Sequence, residues 1–246
     1  MKTTTYGKNF VQLTRFPVLF PVNCYLVRED DGFTLIDTGI AGSAKIILAS
    51  VEPFGAPIVR IVLTHAHGDH AGSLDALHAA LPNAEVIVAE RSVPLLAGDV
   101  SLLPGEAVDK VRGQWIKATT KPNRTVVAGD HIGSLEVVAS PGHTPDHIAF
   151  LDTRDNTLIV GDAFQTRGGV AVSGVVRPLF PFPALATWHK PTALESARTL
   201  YTLKPSRLAV GHGVVLTDPL PAMAKAIAVA ERTFATTQEV YVTQSK

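Results

Sequence analysis

The chain is short of cysteine, of net charge and of long apolar runs. Cys24 is the one cysteine among 246 residues, so no intrachain disulfide can form and nothing demands an oxidising compartment. It lies in the strand-like run Val22-Asn23-Cys24-Tyr25-Leu26-Val27, where a buried, inert thiol is expected. Lys and Arg number 22 and Asp and Glu number 22, a formal net charge of zero. Without a basic patch or charge run, a nucleic-acid partner has no electrostatic support. No apolar run approaches the roughly 20 residues that cross a bilayer. The start, Met1-Lys2-Thr3-Thr4-Thr5-Tyr6, lacks the apolar centre of a signal peptide. A cytoplasmic protein with no membrane partner is therefore expected. No low-complexity linker or break in composition divides the chain, and a hydrophobic content of 46% is ample for one core. A single domain over 1–246 follows.

What is present is an alternation of strands and helices. Asn23–Val27 and Phe33–Ile36 read as a hairpin turned at Asp30-Asp31-Gly32. Val59–Leu63, Glu85–Ala89, Thr125–Val127, Leu135–Val138, Ile148–Leu151, Thr157–Val160 and Leu208–Val210 read as further strands. Helices are expected over Ser43–Ser50, Gly72–Ala80, Thr192–Leu203 and Ala222–Phe234. Val93–Gln114 reads as short helices and loops.

The densest chemistry is His65-Ala66-His67-Gly68-Asp69-His70, directly after the apolar stretch Ile58–Thr64. Imidazole nitrogen and carboxylate oxygen are the ligands zinc prefers, and iron and manganese accept them. Four such groups in six positions are hard to place in a core for packing reasons, since each would need its own partner. Three more ligand-type residues follow strands in the same way: His143 after Leu135–Val138, Asp162 after Thr157–Val160, and His212 after Leu208–Val210. Strand C-terminal ends are where open α/β sheets place their sites.

The ordered set His65, His67, Asp69, His70, His143, Asp162, His212 resembles the metallo-β-lactamase superfamily, in its glyoxalase II-like and lactonase-like branch. Leu35-Ile36-Asp37-Thr38-Gly39 and Ser140-Pro141-Gly142-His143-Thr144-Pro145-Asp146-His147 match it as well. The resemblance covers Asn23–Gly213. It implies an α/β fold, an αβ/βα four-layer sandwich of two mixed sheets with helices on the outer faces. It further implies two divalent metal ions, zinc foremost with iron or manganese as alternatives. His65, His67 and His143 would hold one ion, Asp69, His70 and His212 the other, and Asp162 would bridge them. Two ions so placed share a water that loses its proton near neutral pH and attacks an acyl carbon. Asp69 is the residue that could accept a proton, and Asp37 would orient the cluster unless it is only a turn or cap residue. The implied activity is hydrolysis of an ester, lactone or thioester.

Departures narrow that reading. β-Lactamases with this cluster usually lack the bridging aspartate, which Asp162 supplies here. Flavodiiron proteins carry glutamate where His67 stands. Glyoxalase II has a basic C-terminal helical domain, whereas Val214–Lys246 suffices for one long helix. The lactonases carry tyrosine where Gln165 stands. The alternative is a mononuclear iron sulfur dioxygenase of the same superfamily, which would use His65, His143 and Asp162.

The substrate is expected to be a small molecule, acyl or otherwise apolar. Ala163–Thr192, long and rich in Val, Phe and Pro, reads as a pocket wall, a lid, a subunit interface that would make a homodimer, or core packing. Leu95–Lys121, with Trp115, would form the opposite wall. Arg167 and Arg177 are candidates for binding an anion, and His189 for lining the pocket. His147 is expected to hydrogen-bond nearby backbone, and His78 and His131 to lie on the surface.

Overall fold

The computed structural model describes the backbone of residues 1–244 and the side chains of residues 1–236; the rest of the expected 1–246 domain lies outside the described residues. One sheet has seven strands in sequence order: β1 (Lys2–Tyr6), β2 (Phe10–Arg15), β3 (Val22–Glu29), β4 (Gly32–Ile36), β5 (Ile58–Val62), β6 (Glu85–Ala89) and β7 (Arg124–Val126). Its first half is an antiparallel meander, and from β4 onward the pairing is parallel. Parallel neighbours need crossovers, supplied by α1 (Ala44–Val51), by α2 (Gly68–Ala71) with α3 (Leu74–Ala80), and by α4 (Ser92–Leu96) with the irregular segment after it.

The second sheet is built from β8 (His131–Ile132), β9 (Leu135–Ala139), β10 (Ile148–Asp152) and β11 (Thr157–Ile159). After the small hairpin β12 (Phe164–Gln165) and β13 (Ala171–Val172) come α5 (Phe182–Leu185) and α6 (Lys190–Thr202). The sheet is completed by β14 (Arg207–Ala209) and β15 (Leu216–Thr217), before the closing helix α7 (Leu220–Gln244). Its strand order is β15-β14-β11-β10-β9-β8, with β11 and β14 parallel.

Alternation of side chains along the strands sorts the apolar residues into three layers of contact. Phe10, Tyr25, Ile36 and Val62 face Leu135, Val137, Phe150 and Ile159 between the sheets. Leu26, Leu35 and Ile61 bury outward against Ile47 of α1 and Leu74 and Leu77 of α3. Leu158, Leu208 and Val210 bury against Leu194, Ala197 and Leu200 of α6 and Met223 and Ala230 of α7. The result is the helix–sheet–sheet–helix sandwich expected from the resemblance. No described helix is long and apolar enough to cross a membrane.

The expected elements recur within one or two residues, except that the closing helix runs ten residues past Phe234, to Gln244. The hairpin β1–β2, the single turn α2 and the two-residue strands were not anticipated. Strand pairing decides where the site falls. β4 and β5 run parallel with Ile36 opposite Val62, so Asp37 and Thr64 leave the sheet side by side. β11 and β14 run parallel with Ile159 opposite Ala209, and Gly211 N donates to Gly161 O at 2.7 Å. The loops of Asp162 and His212 thus leave together. Tyr25 Oη donates across the sheets to Val210 O at 2.6 Å, which brings both pairs of strand ends to one rim.

Candidate metal centre

All seven expected ligand residues meet at that rim. Three overlapping groups have ligand atoms within 4.8 Å of one another: His65, His67, His143; His65, His70, Asp162; and Asp69, His70, His212. Six of the seven are buried. Asp69 is the exception, its side chain 28% exposed.

Each imidazole is held by its outward nitrogen, and each hold comes from a different place. His65 Nδ1 donates to Thr64 Oγ1 (3.0 Å), whose hydroxyl donates in turn to Asp37. His67 Nε2 donates to Arg112 O (2.9 Å) and His70 Nδ1 to Asp37 Oδ2 (2.7 Å). His143 Nδ1 donates to Ser173 Oγ (2.9 Å) and His212 Nδ1 to Pro21 O (2.7 Å). These bonds put a proton on each outward nitrogen, so each ring, when neutral, turns a lone pair inward.

The inward atoms crowd. His67 Nδ1 lies 3.2 Å from His65 Nε2 and 3.1 Å from His143 Nε2, with no proton left between them. His70 Nε2 and Asp162 Oδ1 stand 3.4 Å apart, both buried and without a hydrogen-bond partner. Tetrahedral ligands at about 2.1 Å from a zinc ion lie about 3.4 Å from one another. Close lone pairs at that spacing, with polar atoms left unpaired, fit a resident cation better than a packed core.

Charge divides the site into two halves. Burial pushes His65, His67 and His143 below the ordinary imidazole range; around His65 the neighbouring His70 and His67 add to it. Burial also opposes charge on His70 and His212, but the carboxylates outweigh it. Asp162 and Asp37 hold His70 well above its usual value, and Asp162 pushes His212 up to about 10. Burial would raise Asp162, yet His212 and His70 hold it well below the carboxylate range; His70 and His212 do the same for Asp69. One half is therefore a neutral trio of imidazoles, and the other a charge-balanced set in which protons stand where a cation would.

Asp162 adjoins both halves. Its Oδ2 is 3.4 Å from His143 Nε2 and 3.2 Å from His212 Nε2, and its Oδ1 faces His70. His147 Nε2 accepts from the Asp162 backbone N–H at 3.1 Å, while Nδ1 meets Ser140 Oγ at 2.8 Å. His147 thus bonds backbone, as expected, and burial pushes it down to about 3. Gly211 is required by close approach: a Cβ there would stand 2.2 Å from Asp162 Oδ1. Asp37, at φ 62°, receives Thr64 N at 2.7 Å as well as His70, so it orients the cluster.

Other expectations shift. His189 caps α6, accepting from Thr192 N, so a helix end explains it. Arg167 and Arg177 each place one donor on a carbonyl, that of Val18 and that of Val170. His131 is exposed, but His78 is half-buried with Nδ1 enclosed and unpartnered, so it is not simply a surface residue. Ala163–Thr192 is partly core: Val172 and Val175 pack against the second sheet and its helices, while Val176, Leu179, Phe182 and Leu185 stay exposed. Leu95–Lys121 does flank the site, with the Trp115 ring 4.6 Å from His67.

Sequence reasoning missed the loop anchors. Asn23 Nδ2 donates to Val210 O (2.8 Å) and Gly213 O (2.9 Å), its backbone N to Gly211 O, and Gln12 Nε2 also to Gly213 O. Together they bracket His212. Asp146 Oδ2 accepts from Ala66 N (3.0 Å) and Ser92 Oγ (2.6 Å), pinning the loop between His65 and His67. A polar residue inside an otherwise apolar strand, as Asn23 is, was the available signal.

A family model described as the metallo-beta-lactamase superfamily matches residues 17–212. The chain is 50% identical over 233 residues to the uncharacterized protein YobT of Bacillus subtilis (strain 168), covering 94% of this chain and 100% of that one. It is 34% identical over 150 residues to a hydroxyacylglutathione hydrolase of Rhodospirillum rubrum, 58% of this chain but 48% of that enzyme. Among solved structures, TTHA1623 in a di-iron-bound form aligns with a TM-score of 0.64 at 30% identity, over 86% of this chain and 96% of that one. A metallo-beta-lactamase from Pontibacter korlensis aligns at 0.70 and 18% identity, over 94% and 98%, a likeness of fold.

Proposed function

The chain belongs to the metallo-beta-lactamase superfamily, and we propose that it is a metal-dependent hydrolase with a two-ion centre that cleaves an ester, lactone or thioester. The observation that carries this reading is Asp162, whose two oxygens lie within 3.4 Å of nitrogens from both halves of the cluster. His65, His67 and His143 would hold one ion, and Asp69, His70 and His212 the other, with Asp162 common to both. Zinc suits the nitrogen-rich donors, and iron and manganese accept them too; TTHA1623, described with two irons, favours testing iron beside zinc. When bound, such ions supply Lewis-acid polarisation of an acyl carbonyl and an acidified water.

The chain's own residues do the rest. The outward hydrogen bonds fix five imidazoles before any substrate arrives, so no reorganisation is needed at the moment of reaction. Asp69 stands at the solvent edge as a carboxylate beside the cluster and could accept a proton from an attacking water, although His70 and His212, which hold it ionised, reduce its basicity. No serine or cysteine is needed as a nucleophile; Cys24 is buried and burial raises its thiol well above the usual range.

The deciding experiment is metal content measured beside a screen of esters, lactones and thioesters. About two ions per chain with hydrolysis supports the proposal. One iron per chain with oxygen consumption on a persulfide would replace it with the sulfur dioxygenase.

A further inference from the structure

Solvent reaches the cluster at Asp69, and what lies beside that edge is apolar. Asp69 Oδ2 is 3.3 Å from His212 Nε2. The His212 ring is flanked by Phe20 and Phe180, each with its centroid 5.3 Å away. Phe182 packs on both, at 5.0 and 5.3 Å. Phe180 is buried, Phe20 half-buried and Phe182 51% exposed, so the three rings run from the core to solvent. Their chain neighbours Leu19 and Leu179 are 84% and 83% exposed. Scattered exposed leucines need no explanation, but these adjoin an aromatic set whose inner edge touches the candidate centre.

The rings themselves carry no charge. Residues 16–21 contain no charged side chain, and 163–192 contain no acidic one. The three cations of 163–192 are each tethered by a contact that leaves the charge in place: Arg167 to Val18 O, Arg177 to Val170 O, and Lys190 over the Phe234 ring. Hydrocarbon on this side of the substrate would find three rings, against which a carboxylate has no donor.

We propose that Phe20, Phe180 and Phe182 receive the uncharged hydrocarbon chain of the substrate, making the enzyme selective for neutral esters, lactones or thioesters with an extended acyl or alkyl group. This rests on the hydrolytic reading above and names its substrate class. Transfer of a methylene from water contributes about 0.8 kcal/mol, which sets a ceiling of about fourfold per methylene on the gain in kcat/KM. A half-open wall predicts about two- to fourfold.

The test uses the metal-loaded full chain and p-nitrophenyl esters from acetate to octanoate, with an ester ending in a carboxylate as the charged comparison. The expected result is a kcat/KM that climbs with each added methylene and drops about tenfold or more for the charged ester. Phe182→Ser should flatten the climb and Phe182→Leu restore it, which a merely structural role would not do. Esters cleaved with no dependence on chain length, or an unchanged climb in Phe182→Ser, overturn the proposal and leave the hydrolytic reading standing. If no ester, lactone or thioester is cleaved, the hydrolytic reading fails instead. Calorimetric binding of octanamide against acetamide then still judges the wall: preference for octanamide, lost in Phe182→Ser, supports it, and equal binding overturns it. A dimer that Phe182→Ser dissociates, with no chain-length dependence, assigns the face to a second copy of the chain and also overturns the proposal.

Discussion

Replacing Asp37 with asparagine tests whether the hydrogen bonds behind the cluster set its affinity for metal. The substitution keeps shape and backbone: φ is 62°, a region that asparagine enters more readily than most residues. Charge and one acceptor are lost. Asp37 Oδ1 accepts Thr64 N at 2.7 Å, and Oδ2 accepts His70 Nδ1 at 2.7 Å and Thr64 Oγ1 at 2.9 Å. An amide has one oxygen to offer. With that oxygen on Thr64 N, its NH2 faces His70 Nδ1, and the imidazole must move its proton to Nε2, the atom turned toward the cluster. With the amide flipped, the NH2 faces the Thr64 N–H, and a buried donor is orphaned at about 1–3 kcal/mol. Either way the His70 half of the centre is impaired. Loss of such a supporting partner typically costs 10–100-fold in metal affinity, about 1.4–2.8 kcal/mol. The assay is calorimetric titration of the metal-free protein with zinc. The expected outcome is the His70 step weakened by that factor and the other weakened less, because His67 and His143 are held by Arg112 O and Ser173 Oγ and only His65 reaches Asp37, through Thr64 Oγ1. Two unweakened steps would refute the argument, and so would equal weakening of both.

Three further outcomes follow. Gly211→Ala should lower metal content and activity while leaving far-UV dichroism intact, since the new Cβ would meet Asp162 Oδ1 at 2.2 Å and His70 Cε1 at 2.6 Å; full metal occupancy would contradict it. Asn23→Leu should cost about 1–3 kcal/mol in urea unfolding, because buried Thr14 Oγ1 loses its acceptor while Val210 O and Gly213 O keep Tyr25 Oη and Gln12 Nε2, and an unchanged midpoint would show that the bond carries no weight. For pH, His147 takes its proton near 6.5 when unfolded but, being buried, only at about 3 when folded. The unfolded chain therefore binds more protons between those values: there is no penalty above pH 6.5, and stability falls as pH drops toward 3. At pH 5 the penalty is about 2 kcal/mol, so His147→Gln should lose less stability than wild type between pH 7.5 and 5 in urea melts; parallel losses would remove His147 as the cause.

The legible part of this protein was its strand ends. β5, β9, β11 and β14 are short apolar runs, each followed by a ligand-type residue, and period and composition suffice to find such runs. What could not be read was whatever acts through backbone. His67 and His212 are held by the carbonyls of Arg112 and Pro21, and a carbonyl leaves no mark in a sequence. The hairpin β1–β2 was obscure for a related reason. Gln12 and Thr14 are buried because they bond Gly213 O and Asn23, so the strand shows polar residues where a core pattern would be apolar. The carbonyls that Arg167 and Arg177 reach, Val18 O and Val170 O, were equally invisible. Tertiary hydrogen bonding, rather than propensity, accounts for these misses.

The anchors also explain why so compact a motif needs so much of the chain. His65, His67, Asp69 and His70 come from six consecutive positions, yet a motif alone would leave their rings free to turn and their tautomers undecided. Asp37 behind β4, Arg112 in the crossover to β7, Ser173 after β13 and Pro21 before β3 each fix one outward nitrogen. One of the five holds, that of His212, crosses the sandwich, since Pro21 O belongs to the first sheet's edge and His212 to the second's. Closing the sandwich is therefore what orients His212 and brings it to the other ligands. A chain in which the sheets fail to meet would keep the motif and lose the centre, which is why Asn23, at the seam and far from the motif in sequence, is the substitution that should couple unfolding to loss of metal.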